Sequence, residues 1–221
     1  LNTVCLNPAF SIEKAHKKQL LLSKQIIFED KISKKVRYVA GIDVAYSKKF
    51  SIGAVAVLDY KNLKLVEAKT TLMETRFPYI PTLLAFRELP TVILCIKKLE
   101  IQPDIFIVDG HGFAHPYRCG FANHLGILIK KPTIGVAKNK LFGETKKDKQ
   151  QDMIYLKHNK EIIGAVITKK KGKKPIYVSV GHMISLKTAI KIIKHCSRSR
   201  IPEPILTAHK IAAQRKKQLI F

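Results

Sequence analysis

Two short runs, 104–108 (DIFIV) and 133–137 (TIGVA), constrain the fold of this chain most strongly. Each is nearly uninterrupted apolar sequence, and each is preceded by a proline, Pro103 or Pro132. An apolar run that does not alternate reads as a strand covered on both faces, and such coverage requires helices on both sides of a sheet. The rest of the chain supplies them. Apolar residues at helical spacing predict a helix over 11–28 with Ser11 as its cap. β-branched runs at 36–44, 52–58 and 63–70, separated by polar turns, predict a three-strand meander.

Pro81 and Pro90 each suit the first turn of a helix, which predicts a short helix over 82–88 and a longer one over 91–100. The glycine-rich stretch DGHGFAHPYRCG must be a loop, and 121–129 reads as a helix. The lysine-rich stretch 138–151 has the composition of a surface loop. Strands at 161–168 and 176–180 flank KKKGKKP, a β-hairpin with a basic tip. Helices over 186–195 and 207–219 close the chain, the second after the break RIPEP. The expected architecture is α/β, a central mixed β-sheet flanked by α-helices, in a single domain over residues 1–221.

Charge narrows the function. The 41 Lys and Arg residues against 16 Asp and Glu give a net charge of +25, which calls for a polyanionic partner. With 46% hydrophobic residues the chain has the composition of a folded domain. No uncharged apolar stretch approaches the roughly 18 residues of a spanning helix, so nucleic acid is favoured over a membrane. The N-terminus lacks the pattern of a secretory signal, and the expected location is cytoplasmic. Cys5, Cys95, Cys119 and Cys196 fit no zinc-clip spacing and read as reduced, buried thiols. A monomer is the default.

Asp43, inside VAGIDVAY, and Asp109, directly after DIFIV, stand out among the acidic residues because each interrupts or ends an apolar strand. Burying a carboxylate there is costly unless a cation or good hydrogen bonds compensate. A single such Asp is as readily a turn cap. Two of them in a chain this basic point to a divalent-metal site, where Mg²⁺ on hard oxygen ligands supplies a nucleophilic water and neutralises phosphoryl charge. Glu88, beside Phe86 and two leucines, is a third candidate. Lys138 follows TIGVA and would emerge at the same sheet edge, where it could meet a phosphate, although one lysine among so many is more often a solvated charge. His115 and Arg118 could bind phosphate through their side chains, and Gly110 and Gly112 let backbone N–H groups approach a ligand. His111 and His115 are too poor a set for zinc.

Taken together, YVAGIDVAY, RFPYIPTLLAFRELP, VDGHGFAHPYRCGFANHLG and PTIGVAKNKLFG resemble the endonuclease V family in order and spacing, over about residues 10–210. The resemblance implies a ribonuclease H-like fold and an inosine-directed nuclease dependent on Mg²⁺, with Mn²⁺ able to substitute. It implies that Asp43 and Asp109 are metal ligands, that Glu88 completes the acidic cluster, that Lys138 assists at the phosphate, and that His209 lies near the metal. It further implies that Pro78, Tyr79, Ile80 and Pro81 form a wedge whose ring enters the duplex, and that groups around Gly110 and Gly112 receive the extruded base. The implied substrate is double- or single-stranded DNA containing deoxyinosine, cut at the second phosphodiester on the 3′ side of the lesion, with inosine-containing RNA as the alternative. Departures from the pattern are small: His111 stands where many members have Gln or Asn, and Thr82 where Gly is usual.

Overall fold

The computed structural model describes residues 10–32, 35–148, 153–168 and 174–219. Its nine strands form one mixed sheet in the order β3-β2-β1-β4-β5-β9-β8-β7-β6. The strands are β1 (Tyr38–Ser47), β2 (Phe50–Asp59), β3 (Leu65–Glu74), β4 (Ile105–Asp109), β5 (Thr133–Ala137), β6 (Glu144–Asp148), β7 (Met153–His158), β8 (Glu161–Ile167) and β9 (Ile176–His182). The β1–β3 meander is antiparallel, while β1, β4 and β5 run parallel through the middle.

Both apolar runs become central strands, and alternation sends their side chains into two cores. Ile105 and Ile107 join Ala189 and Ile193 of α4 (Leu186–Cys196) and Ile205 and Ala208 of α5 (Glu203–Lys217). Phe106 and Val108 face the other way, onto Leu89 and Val92 of α2 (Leu84–Ile96) and Leu125 of α3 (Phe121–Ile129). The result is three layers, helices on both faces of the sheet, in a ribonuclease H-like arrangement. Helix α1 (Ile12–Ser23) is capped by Ser11, whose side chain accepts from the Lys14 N–H.

Four expectations are corrected. The two helices predicted around Pro90 are one, α2, because Ala85, Leu89, Val92 and Cys95 form a single buried stripe that continues across the proline. Segment 138–151 is not all loop: residues 144–148 form β6, which pairs with β7 at the edge of the sheet and so gains backbone partners that composition does not reveal. RIPEP does not delay the last helix, since Pro202 caps α5 and Pro204 occupies its first turn, where a missing N–H costs nothing. Helix α1 ends at Ser23.

Strands β8 and β9 pair as the predicted hairpin. Lys149 and the tip lysines Lys169, Lys170, Lys171 and Lys173 lie outside the described residues, as does Cys5. Cys95, Cys119 and Cys196 are buried free thiols, and burial pushes the last two up to about 12. Among the described residues no helix is long and apolar enough to cross a membrane.

Candidate active site

Parallel pairing of β1 with β4 sets Ile42 beside Val108, so the next residue on each strand, Asp43 and Asp109, emerges at the same level. This is the carboxyl end of the parallel strands, where open α/β sheets build their sites. Each carboxylate has a close side-chain partner. Asp109 Oδ2 lies 2.5 Å from Lys138 Nζ, one residue past the end of β5, and Asp43 Oδ2 lies 2.9 Å from His209 Nδ1 on α5. Helix α5 can deliver that imidazole because it presses on β1 at Gly41, where a Cβ would sit 2.0 Å from the Pro204 backbone.

Glu88 belongs to the buried stripe of α2 and is only 7% exposed. Burial pushes its carboxyl up to about 8, against a hydrogen bond from the Tyr46 hydroxyl to Oε1 at 2.9 Å, and the charges of Asp43 and Asp109 push in the same direction. Burial also raises Asp109, with Lys138 opposing. Arg87 lies over the Tyr46 ring at 4.3 Å and donates to the Phe77 carbonyl.

These groups suit a hard divalent cation. Three acidic side chains lie near one another, the charges of Asp43 and Asp109 both acting on Glu88, and all offer oxygen. Among the described residues no three His, Cys, Asp or Glu side chains form a ready-made cage.

Asp109 and Lys138 line a cavity of about 350 Å³ together with Tyr79, Ile80, Pro81, Thr82, Gly110, His115 and Phe121. Tyr79 is 68% exposed on a tip stiffened by Pro78 and Pro81. Of the sequence-predicted residues, Tyr79, Ile80, Pro81, Asp109, Gly110, His115 and Lys138 line this cavity, but four residues of the glycine loop are otherwise engaged. Gly112 is outside the cavity wall; its N–H donates to Ser179 Oγ at 2.9 Å, and a Cβ there would strike the Val180 carbonyl, so it is glycine for packing against β9. His115 is 2% exposed and held near pKa 4 by burial, hence neutral; its Nδ1 accepts from the Tyr117 N–H and its Nε2–H donates to the Thr82 carbonyl, leaving no charge for a phosphate. Arg118 is spent internally on Glu161 (2.7 Å), His158 (2.9 Å) and the His115 carbonyl (3.1 Å). Gly110 does line the cavity, but its N–H is committed to the Val136 carbonyl at 2.9 Å and cannot also read a base.

Tyr46 and Thr82 are site residues that the sequence does not single out for these roles. Their partners lie far off in the chain, 42 residues for Tyr46 and Glu88 and 63 for Thr82 and Gln19, and no local pattern marks such pairs.

Comparison with known proteins gives a consistent picture. The endonuclease V family model matches residues 21–210. Endonuclease V of Dictyoglomus turgidum is 46% identical over 200 residues, 89% of this chain and 87% of that protein. The crystal structure of endonuclease V from Streptomyces avermitilis superposes with a TM-score of 0.86 at 34% identity, over 94% of each chain. Endonuclease V of Ciona intestinalis, crystallised with a 24mer DNA containing an inosine followed by a ribo-adenosine, superposes with a TM-score of 0.85 at 34% identity, over 94% of this chain and 98% of that one.

Proposed function

The chain belongs to the endonuclease V family, and from that footing we propose that it is a Mg²⁺-dependent DNA repair endonuclease. It recognises deoxyinosine and hydrolyses the second phosphodiester bond on the 3′ side of the lesion, leaving 3′-hydroxyl and 5′-phosphate ends. The observation that carries this reading is the cavity shared by the exposed Tyr79 tip and the Asp109–Lys138 pair, which sets a pocket large enough for a base beside groups suited to phosphoryl chemistry. The inosine-containing DNA bound by the Ciona intestinalis relative supports the choice of lesion.

In this mechanism Tyr79 replaces the stacking lost when the damaged base leaves the duplex, and Pro78 and Pro81 limit the entropy lost in ordering the tip. The base enters between the tip and Phe121. Asp43 and Asp109 would hold the metal, with Glu88 and His209 positioning further metal or water; when bound, the ion supplies Lewis acidity and an activated water. Lys138 brings an ammonium to the place where charge develops on the scissile phosphate. Tyr46 holds the buried carboxyl of Glu88 in place by its hydroxyl.

The ribo-adenosine next to the inosine in the Ciona intestinalis complex favours a second reading, an inosine-specific endoribonuclease. Competing end-labelled DNA and RNA strands of one sequence, each with a single inosine, decides between them. Preferential DNA cleavage one nucleotide beyond the lesion supports the first reading, and preferential RNA cleavage replaces it with the second.

A further inference from the structure

Thr82 follows the wedge directly and has φ +74°, a conformation that a β-branched residue rarely adopts. The Leu83 N–H bonds to the Ile80 carbonyl at 3.0 Å, with Pro81 and then Thr82 between them. That is the pattern of a type II turn, proline at its second position and a positive φ at its third, where glycine or asparagine is normal. Such an outlier persists only where its surroundings over-determine it.

Three side chains do so here. The Thr82 carbonyl accepts from Gln19 Nε2 at 2.8 Å and from His115 Nε2 at 3.0 Å, and Thr82 Oγ1 shares a hydrogen bond with His16 Nε2 at 3.0 Å. Gln19 is fully buried, and the same Nε2 reaches the Cys119 carbonyl at 3.0 Å, so α1 ties the wedge turn to the glycine loop. His16 stacks on Tyr117 with ring centroids 3.9 Å apart, and the Tyr117 N–H bonds to His115. The contacts close a ring: His16, Thr82, His115, Tyr117 and back to His16. The other foot of the wedge is held independently by Arg87 on the Phe77 carbonyl.

We infer that Thr82, latched by His16 of α1, is a specificity-determining positioning residue that presets the wedge and the adjoining cavity wall before the nucleic acid arrives. This rests on the proposed function for its consequence in catalysis, not for the latch itself. A preset tip avoids ordering costs on binding, and it refuses undamaged strands that a loose tip would accommodate. His16 and Gln19 act only through Thr82 and touch no reacting group.

Because the chain contains no tryptophan, Tyr79→Trp places a single indole at the wedge tip. Time-resolved fluorescence anisotropy then reads the tip without nucleic acid or cleavage. The latch predicts a rigid indole in Tyr79→Trp alone and a fast local component when Thr82→Gly or His16→Ala is added. Combining the two adds nothing more, since the glycine leaves no hydroxyl for His16 to hold. An indole equally rigid in all four proteins overturns the latch, as does a His16→Ala effect undiminished by Thr82→Gly. With Tyr79 retained, Thr82→Gly and His16→Ala should each raise KM for the deoxyinosine strand about tenfold with kcat little changed. A lowered kcat at unchanged KM contradicts the positioning role. Should the parent protein cut no inosine strand of either kind, the proposed function falls while the anisotropy still decides the latch.

Discussion

Glu88 shows how one residue's surroundings can outweigh its intrinsic chemistry. Its carboxyl, ordinarily at 4.5, stands at about 8 in the metal-free protein because it is buried among apolar groups near two other carboxylates. Between those values the folded chain holds a proton that the unfolded chain has released, so stability falls as pH rises from about 4.5 to about 8. Glu88→Gln, which removes the titration but keeps the shape, should therefore be near neutral at pH 4.5 and stabilise the metal-free protein at pH 8 by roughly 1 to 3 kcal/mol. Denaturant midpoints at the two pH values measure this. Asp43→Ala and Asp109→Ala should each lower single-turnover cleavage by at least about a thousandfold while leaving affinity for the strand within a few fold, since each removes one negative charge from a chain of net charge +25. Normal turnover in both variants would remove the carboxylates from the mechanism. Asp43 and Asp109 are legible in the sequence because a charge inside an apolar strand has few structural excuses. His209 is legible only through the family resemblance, because its partner Asp43 is 166 residues away and the helix that carries it is otherwise ordinary.

At the scale of elements, the site depends on how closely α5 can approach β1. Gly41→Ala would place a Cβ 2.0 Å from the Pro204 backbone, so the helix must shift and take His209 away from Asp43. The expected outcome is a loss of about 1 to 3 kcal/mol in unfolding free energy and a larger proportional loss of cleavage than stability alone explains. Chemical denaturation and single-turnover rates on one preparation provide the comparison, and parallel losses would contradict it. The elements themselves were legible where one signal dominated: α3 and β5 fall on the expected residues, bounded by glycine, proline and apolar pattern. Pro90 misleads because tertiary burial of the α2 stripe outweighs one missing N–H. Strand β6 was hidden because an edge strand rich in lysine has the composition of a loop. The commitment of Arg118 was equally hidden, since its acceptors lie on β7, β8 and its own loop, and only the folded sheet brings them together.

For the whole molecule, a charge of +25 makes binding to any nucleic acid strong at low salt and the discrimination between strands a matter of the cavity. Replacing Lys169, Lys170, Lys171, Lys173 and Lys174 by glutamine should flatten the dependence of log affinity on log salt by roughly 0.7 to 0.9 per lost phosphate contact, equally for damaged and undamaged strands. An unchanged slope assigns those lysines to solubility. Under the proposed function the three-layer fold divides the work: a basic surface gathers the strand, the latched wedge selects the lesion, and the carboxyl ends of the parallel strands carry the chemistry. One measurement tests that account most directly: single-turnover cleavage of an end-labelled duplex with one deoxyinosine, beside an undamaged duplex, in Mg²⁺ and in EDTA. The account predicts a single cut one nucleotide beyond the lesion, present only with Mg²⁺ and absent from the undamaged duplex. Cleavage that survives EDTA, or that treats both duplexes alike, would contradict it.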